Sequence, residues 1–193
     1  MAYASLERFR DITGRNVLAL QQAKEAGKKV VGQYCIYSPL EIALAAGAIP
    51  VSLCGTKNDS IPVAETMLPR SLCPLIKSSF GFALQDSCPY LAASDIVVAD
   101  TTCDGKKKMY ELLAAYKPVV LLQLPQIQDG DAKDYWRAQY AKLAARLEKD
   151  FGASITTDDL RNAVRLTNRL RRALKDVLDL AKRKPSPLTG MDL

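Results

Sequence analysis

The 193-residue sequence contains no histidine. This absence excludes acid-base catalysis by histidine, the Ser-His-Asp and Cys-His nucleophilic arrangements, and zinc sites that combine cysteine with histidine. Any chemistry in the chain therefore depends on other side chains.

The sequence also lacks a long apolar run. No segment approaches the roughly 18 consecutive apolar residues of a membrane-spanning helix, and the first residues do not join a basic segment to an apolar one. We therefore expect a soluble, cytoplasmic protein with no membrane partner. The hydrophobic content of 48% is enough for one well-packed domain.

The positive charge is unevenly distributed. The formal net charge is +6, and much of the excess lies in residues 161–184. Aromatic residues do not alternate with these basic residues, as they do in many nucleic-acid-binding segments. The pattern therefore favours the solvated face of a helix over a nucleic-acid partner.

Short apolar segments alternate with helical patterns along most of the chain. Buried strands are predicted at 29–36, 48–53, 95–99 and 118–124. Helices are predicted at 5–26 with an interruption near Gly14, and at 40–46, 73–81, 106–116, 132–150 and 158–182. This alternation predicts an α/β fold, a three-layer Rossmann-like domain with a parallel sheet and amphipathic helices at both ends.

The same patterns divide the chain into four parts. We predict a helical segment at 1–27, the Rossmann-like domain with all the cysteines at 28–128, a helical pair at 129–184 and a linker at 185–193. Ligands of such parallel sheets bind at the carboxyl ends of the strands, so the loops of the second part are where a site is expected.

The five cysteines are the most informative residues. An odd number of cysteines without an export signal argues for reduced thiols and against a disulfide framework. Four of them lie just past a predicted strand or beside a proline that opens a helix: Cys35, Cys73, Cys88 and Cys103. A thiolate at a helix amino terminus is stabilised by exposed N–H groups, which prepares it as a metal ligand.

Simple burial is the alternative, because free cysteine is among the most buried residue types. The spacing fits neither paired C-x-x-C zinc sites nor the compact cysteine runs of ferredoxins. A metal here would need ligands that the fold brings together. Cys54, at the end of the second predicted strand, is assigned either to the core or to its rim.

Longer segments around these cysteines carry a resemblance. They read VVGQYCIYSPLEIALAAGAIPVSLCG, LPRSLCPLIKSSFGFA, DSCPYLAASDIVVADTTCDGKKKMYELLA and KPVVLLQLPQ. Together they resemble the amino-terminal half of the 2-hydroxyacyl-CoA dehydratase and benzoyl-CoA reductase family, and most closely its double-cubane cluster protein branch.

The resemblance implies an iron-sulfur protein. It implies that Cys73 and Cys103 are ligands of a 4Fe-4S cluster, and that Cys88 and Cys35 add the ligands that a double-cubane 8Fe-9S cluster needs. The implied function is low-potential electron transfer from an ATP-dependent iron-sulfur activator protein. The electron acceptor would be an acyl-CoA, which a lyase reaction dehydrates, or a small molecule that is reduced. A non-catalytic α/β interaction module or an apo fragment is the alternative.

Family members carry two Rossmann-like domains per chain, with the cluster between them. The resemblance therefore implies that residues 185–193 lead to a second α/β domain, or that the site is completed by a separate subunit. We expect the 193 residues alone to hold no full cluster and to turn over no substrate. We also expect self-association, because an incomplete site with an apolar helical stripe favours a partner surface.

Other polar residues near the cysteines have two interpretations each. Residues 106–108 are lysines that either meet phosphates of coenzyme A or of a nucleotide, or form a solvated helical turn. Ser78 and Ser79 either donate to cluster sulfides or bind the local backbone. Glu41 either moves a proton near the cluster or stabilises a helix start.

Overall fold

The computed structural model describes residues 11–55 and 57–189, except for the side chain of Thr13. The strands are β1 (Val30–Gln33), β2 (Ile49–Ser52), β3 (Ile96–Asp100) and β4 (Val119–Leu122). The helices are α1 (Ile12–Glu25), α2 (Leu40–Ala45), α3 (Ile61–Ala64), α4 (Pro74–Leu84), α5 (Pro89–Ala93), α6 (Asp104–Leu113), α7 (Ala132–Phe151) and α8 (Thr157–Ala181).

The four strands form one parallel sheet in the order β2-β1-β3-β4. From β1 the chain moves outward to β2, then crosses back to place β3 on the other side of β1. The order therefore reverses between β1 and β3, and connections diverge at this point. In open α/β sheets such a divergence leaves a crevice at the carboxyl ends of the two strands.

Apolar side chains cover both faces of the sheet. Along β3, Val97 and Ala99 face one core cluster, and Ile96 and Val98 face the other. Helices α3, α4, α5 and α6 supply the first cluster, whereas α2, α7 and the start of α8 supply the second. The predicted three-layer α/β fold with a parallel sheet is confirmed.

Some predicted boundaries are wrong. Gly14 lies inside α1, so the expected interruption there does not occur, and the part of that predicted helix before residue 11 lies outside the described residues. The short helices α3 and α5 were not predicted. Each has a proline in its first turn, a position without a backbone donor to lose, and each is too short for its apolar pattern to repeat.

Helix α8 begins at a capping box, as predicted from the threonines before it. The Thr156 hydroxyl accepts from the backbone N–H of Asp159, and the Asp159 side chain accepts from the backbone N–H of Thr156. Its first half packs on α2 through buried Ala163 and Thr167. Apolar side chains further along are exposed: Leu166, Leu170, Leu174, Val177 and Leu178.

None of the helices in the described ranges is long and apolar enough to cross a bilayer.

Asp95 ties three elements together below the sheet. Its carboxylate accepts from Lys24 Nζ at 2.8 Å, at the end of α1, and from the backbone N–H of Val30 at 2.7 Å, at the start of β1. Burial alone raises the pKa of Asp95, but the two donors outweigh it and hold the pKa below its ordinary value.

We expect Asp95→Asn to lower the free energy of unfolding by about 1–2 kcal/mol at neutral pH, because a charged acceptor is lost. A lowered folded-state pKa gives stability that is present above the unfolded pKa and lost as pH falls through the folded one. The difference between the two proteins should therefore shrink below pH ~4. Urea unfolding from pH 7 to pH 3 measures it. Exposed Asp59→Asn is the matched control, and an equal loss in that variant would contradict the assignment.

Gly81 allows α4 to pack on the loop before α3. A Cβ at this position would collide with the carbonyl oxygen of Ser60, a backbone atom that cannot rotate away. We expect Gly81→Ala to cost about 2 kcal/mol or more of unfolding free energy, measured by urea unfolding with circular dichroism. Gly14→Ala in α1, where a Cβ meets nothing within 4 Å, should leave stability unchanged or slightly higher. Equal effects would show that Gly81 is not sterically required.

Candidate functional site

The loops at the carboxyl edge of the sheet carry the cysteines. The backbone N–H of Tyr34 donates to Val98 O at 2.9 Å, and that of Leu53 donates to Gln33 O at 2.8 Å. These bonds extend the strand pairing by one residue past β1 and past β2. Cys35 and Cys54 are the next residues, so both lie at this edge.

Cys35 occupies the crevice side of β1, next to β3. Its backbone is left-handed, with φ 64°, and its side chain is half-buried. The Nζ atom of Lys106 donates to Cys35 Sγ and also to Thr102 Oγ1, the latter at 3.0 Å. Lys106 lies in the first turn of α6, so it links the loop after β1 to the loop after β3.

Cys103 and Cys73 precede two helices. Cys103 occupies the position before α6 and Cys73 the position before α4, and both are exposed. The two helix starts are adjacent, because a Cβ on Gly105 would lie 2.7 Å from the side chain of Leu72. The loop before Cys73 is held by buried Lys77, which donates to Arg70 O at 2.8 Å and pairs with a carboxylate of α3's following turn.

Cys54 and Cys88 form a second group. Both line one small cavity together with Tyr34 and Ser79. Cys54 is exposed and Cys88, before α5, is half-buried. The structure therefore assigns Cys54 to the rim of the core rather than its interior, and places it beside one of the four predicted site residues.

Two buried polar atoms at this edge have no hydrogen-bond partner among the described residues. They are Asp100 Oδ2, at the end of β3, and the hydroxyl of Tyr110 in α6. Asp100 is fully buried, and its other carboxylate oxygen accepts from the backbone N–H of Thr102 at 3.3 Å. Burial, reinforced by the nearby charge of Asp100, raises the pKa of Tyr110 and keeps it a neutral phenol.

An iron-sulfur cluster is the group that the resemblance implies, and the donor chemistry fits it. All five cysteines are free thiols at one edge of the sheet, and thiolates are the usual cluster ligands. The grouping is incomplete, since within residues 11–55 and 57–189 no three Cys, Asp or Glu side chains converge on a metal position. The chain thus offers an open set of donors rather than a closed cage.

The structure decides between interpretations of the other polar residues. Ser79 Oγ accepts from the backbone N–H of Gly55 at 2.9 Å, and Ser78 Oγ donates to Lys57 O at 2.6 Å, so both serines bind the loop after β2. Glu41 accepts from Thr167 at 2.7 Å and from Arg171 at 2.6 Å, which anchors α8.

The three lysines of α6 have separate roles. Lys107 pairs with Asp104 at 3.0 Å and Lys108 with Glu111 at 3.0 Å, both within the helix. Lys106 alone of the three contacts a cysteine. Sequence reasoning missed Asp100, although an acid that directly ends a buried apolar strand is a signal that could have found it.

We expect the thiols to differ in reactivity in the native chain. Exposed Cys54, Cys73 and Cys103 should be alkylated faster than half-buried Cys35 and Cys88, because an attacking reagent needs access to the sulfur. Timed alkylation followed by peptide mass spectrometry measures each rate, and unfolding in urea should equalise them. Faster modification of Cys88 than of Cys73 in the native chain would contradict the described packing.

Known proteins share this sequence over most of its length. The family model described as 2-hydroxyglutaryl-CoA dehydratase, D-component, matches residues 35–193. The protein YjiM of Escherichia coli (strain K12), named as a candidate dehydratase subunit, is 46% identical over 191 residues, which cover 98% of this chain and 50% of that protein.

Two further relatives are more distant. The (R)-phenyllactyl-CoA dehydratase beta subunit of Clostridium sporogenes is 27% identical over 174 residues, covering 88% of this chain and 46% of that protein. One of the subunits of benzoyl-CoA reductase from Thauera aromatica is 27% identical over 183 residues, covering 91% and 46%. The chain spans about half the length of these relatives. By the family model and these relatives, the chain belongs to the 2-hydroxyglutaryl-CoA dehydratase D-component family, within the dehydratase and benzoyl-CoA reductase group that its cysteine segments resemble.

Proposed function

We propose that this chain is the iron-sulfur-binding part of a 2-hydroxyacyl-CoA dehydratase-like protein. In the complete protein an ATP-dependent iron-sulfur activator supplies a low-potential electron, and the acceptor is an acyl-CoA that is dehydrated or a small molecule that is reduced. The reduced thiols of the site suit a cytoplasmic location, which is part of the proposal.

One observation carries the proposal. Free thiols surround the carboxyl edge of a parallel sheet, at the place where the strand order reverses between β1 and β3. Ligands of open α/β sheets bind at such a place. A sheet edge that carries several free thiols and no histidine is suited to a cluster rather than to zinc.

The residues that would hold the cluster are Cys73, Cys103, Cys88 and Cys35. When bound, a cluster supplies one-electron chemistry at low potential. The chain's own contribution is position: Cys73 and Cys103 present exposed sulfurs before two adjacent helix starts, and Cys35 is held by Lys106. Because no three of these donors converge within the described residues, we infer that the remaining ligands come from a second α/β domain or subunit.

Space for a substrate lies at the same edge. An open hollow of about 720 Å³ is lined by Thr102, Tyr37, Trp136 and Lys133, among others. Thr102 precedes Cys103, so a molecule in this hollow would lie next to the cysteine edge. The names of the relatives describe acyl-CoA dehydratase and reductase subunits, which supports an acyl-CoA as the occupant in the complete protein.

We expect the anaerobically reconstituted chain to bind iron and acid-labile sulfide in similar amounts, at less than one full cluster per chain. The double variant Cys73→Ser, Cys103→Ser should lose most of both, because it removes the two most exposed proposed ligands. Iron and sulfide analysis after removal of unbound metal measures this, and circular dichroism checks that the variants fold.

Cys54→Ser is the matched control, since it makes the same chemical change outside the proposed ligand set. Retained iron in this variant is expected, and a loss as large as in the double variant would show that the ligand set is wrong. Negligible iron in the folded wild-type chain would favour the second candidate function, a protein-interaction module. The exposed apolar side chains along α8 are the observation that favours such a module, and they also suit self-association.

A further inference from the structure

Lys106 is held among acceptors that come from two loops. Its Nζ donates to Cys35 Sγ, after β1, and to Thr102 Oγ1 at 3.0 Å, after β3. The side chain is half-buried, so solvent screens its charge less than that of a surface lysine. Its two neighbours in α6 pair within the helix and point their charges elsewhere.

Asp100 places an opposing charge close by. The carboxylate is fully buried, and its Oδ2 atom has no hydrogen-bond partner among the described residues. Burial on its own lowers the pKa of Lys106, but the hydrogen bond to Cys35 and the charges of Asp100 and Cys103 outweigh it and raise the pKa above its ordinary value. Lys106 is therefore a cation next to one sulfur, within the field of a buried anion.

We propose that Lys106 raises the reduction potential of an iron-sulfur cluster bound through Cys35, by donating a charged hydrogen bond to the cysteine sulfur, and that Asp100 opposes this effect. Lys106 is thus a positioning residue for Cys35 and for the local charge. This inference rests on the proposed function. Hydrogen bonds to cluster sulfurs and nearby net charge are established determinants of cluster potential.

The redox step is a simple electron transfer. The cluster gains one electron from an added chemical reductant, no bond forms or breaks, and no proton is taken up. The extra negative charge is stabilised by the Lys106 ammonium and destabilised by the Asp100 carboxylate. Removing the lysine charge should therefore lower the potential, and removing the aspartate charge should raise it.

The experiment compares the reconstituted wild-type chain with Lys106→Met, Lys106→Arg, Asp100→Asn and Lys108→Met. Iron and sulfide are measured first, and the potential is then obtained from a dye-mediated titration followed by electron paramagnetic resonance. We expect Lys106→Met to reduce the ratio of reduced to oxidised cluster about tenfold at a fixed potential, a shift of ~59 mV for one electron.

The other variants separate charge from packing. Asp100→Asn keeps the shape of the side chain and should shift the potential upward. Lys106→Arg retains the charge and should stay near the wild type, as should Lys108→Met, whose lysine is 75% exposed and pairs with Glu111.

The outcomes distinguish the two proposals. Iron binding with equal potentials in wild type and Lys106→Met overturns the role of Lys106 and leaves the proposed function standing. Absence of iron from the folded wild-type chain overturns both. A downward shift in Lys108→Met as large as in Lys106→Met would show a general charge effect and also overturns the assignment to Lys106.

Discussion

The parallel pairing of β1 with β3 is the contact on which the candidate site depends. It is the bond from Tyr34 N to Val98 O that brings the loop after β1 against the loop after β3, although the two strands are separated by four helices and a strand in the chain. Cys35 and Lys106 meet only because of this pairing. The sheet order therefore determines the chemistry of the edge more directly than any local motif does.

The two faces of the sheet have different tasks. The layer of α3 to α6 carries Cys73, Cys88 and Cys103 at its helix starts, and its packing depends on close backbone approaches such as that of Gly81 to Ser60. The opposite layer, with α2, α7 and α8, contains no cysteine and supports the sheet from behind. Serines that looked available to a ligand instead fasten the loop after β2.

Much of the fold could be predicted from sequence, because long periodic segments and capping residues carry strong local signals. The apolar run before Cys103 predicted β3, Pro74 predicted the start of α4, and Thr156 predicted the start of α8. The arrangement within the site could not be predicted in this way. Which cysteines are neighbours depends on strand order and helix packing, so the pairing of Cys54 with Cys88 has no local signal. Asp100 was assigned to a loop because an acid usually ends a strand rather than belonging to its buried part.

The left-handed backbone at Cys35 has a consequence for how this sequence would change over generations. A non-glycine residue in this conformation is strained by about 1 kcal/mol or more, and glycine would adopt it without that strain. Replacing the cysteine by glycine would therefore stabilise the fold while removing the thiol. A lineage that no longer used this sulfur would gain by the exchange, so retention of cysteine at this position is a record of continuing selection for its chemistry.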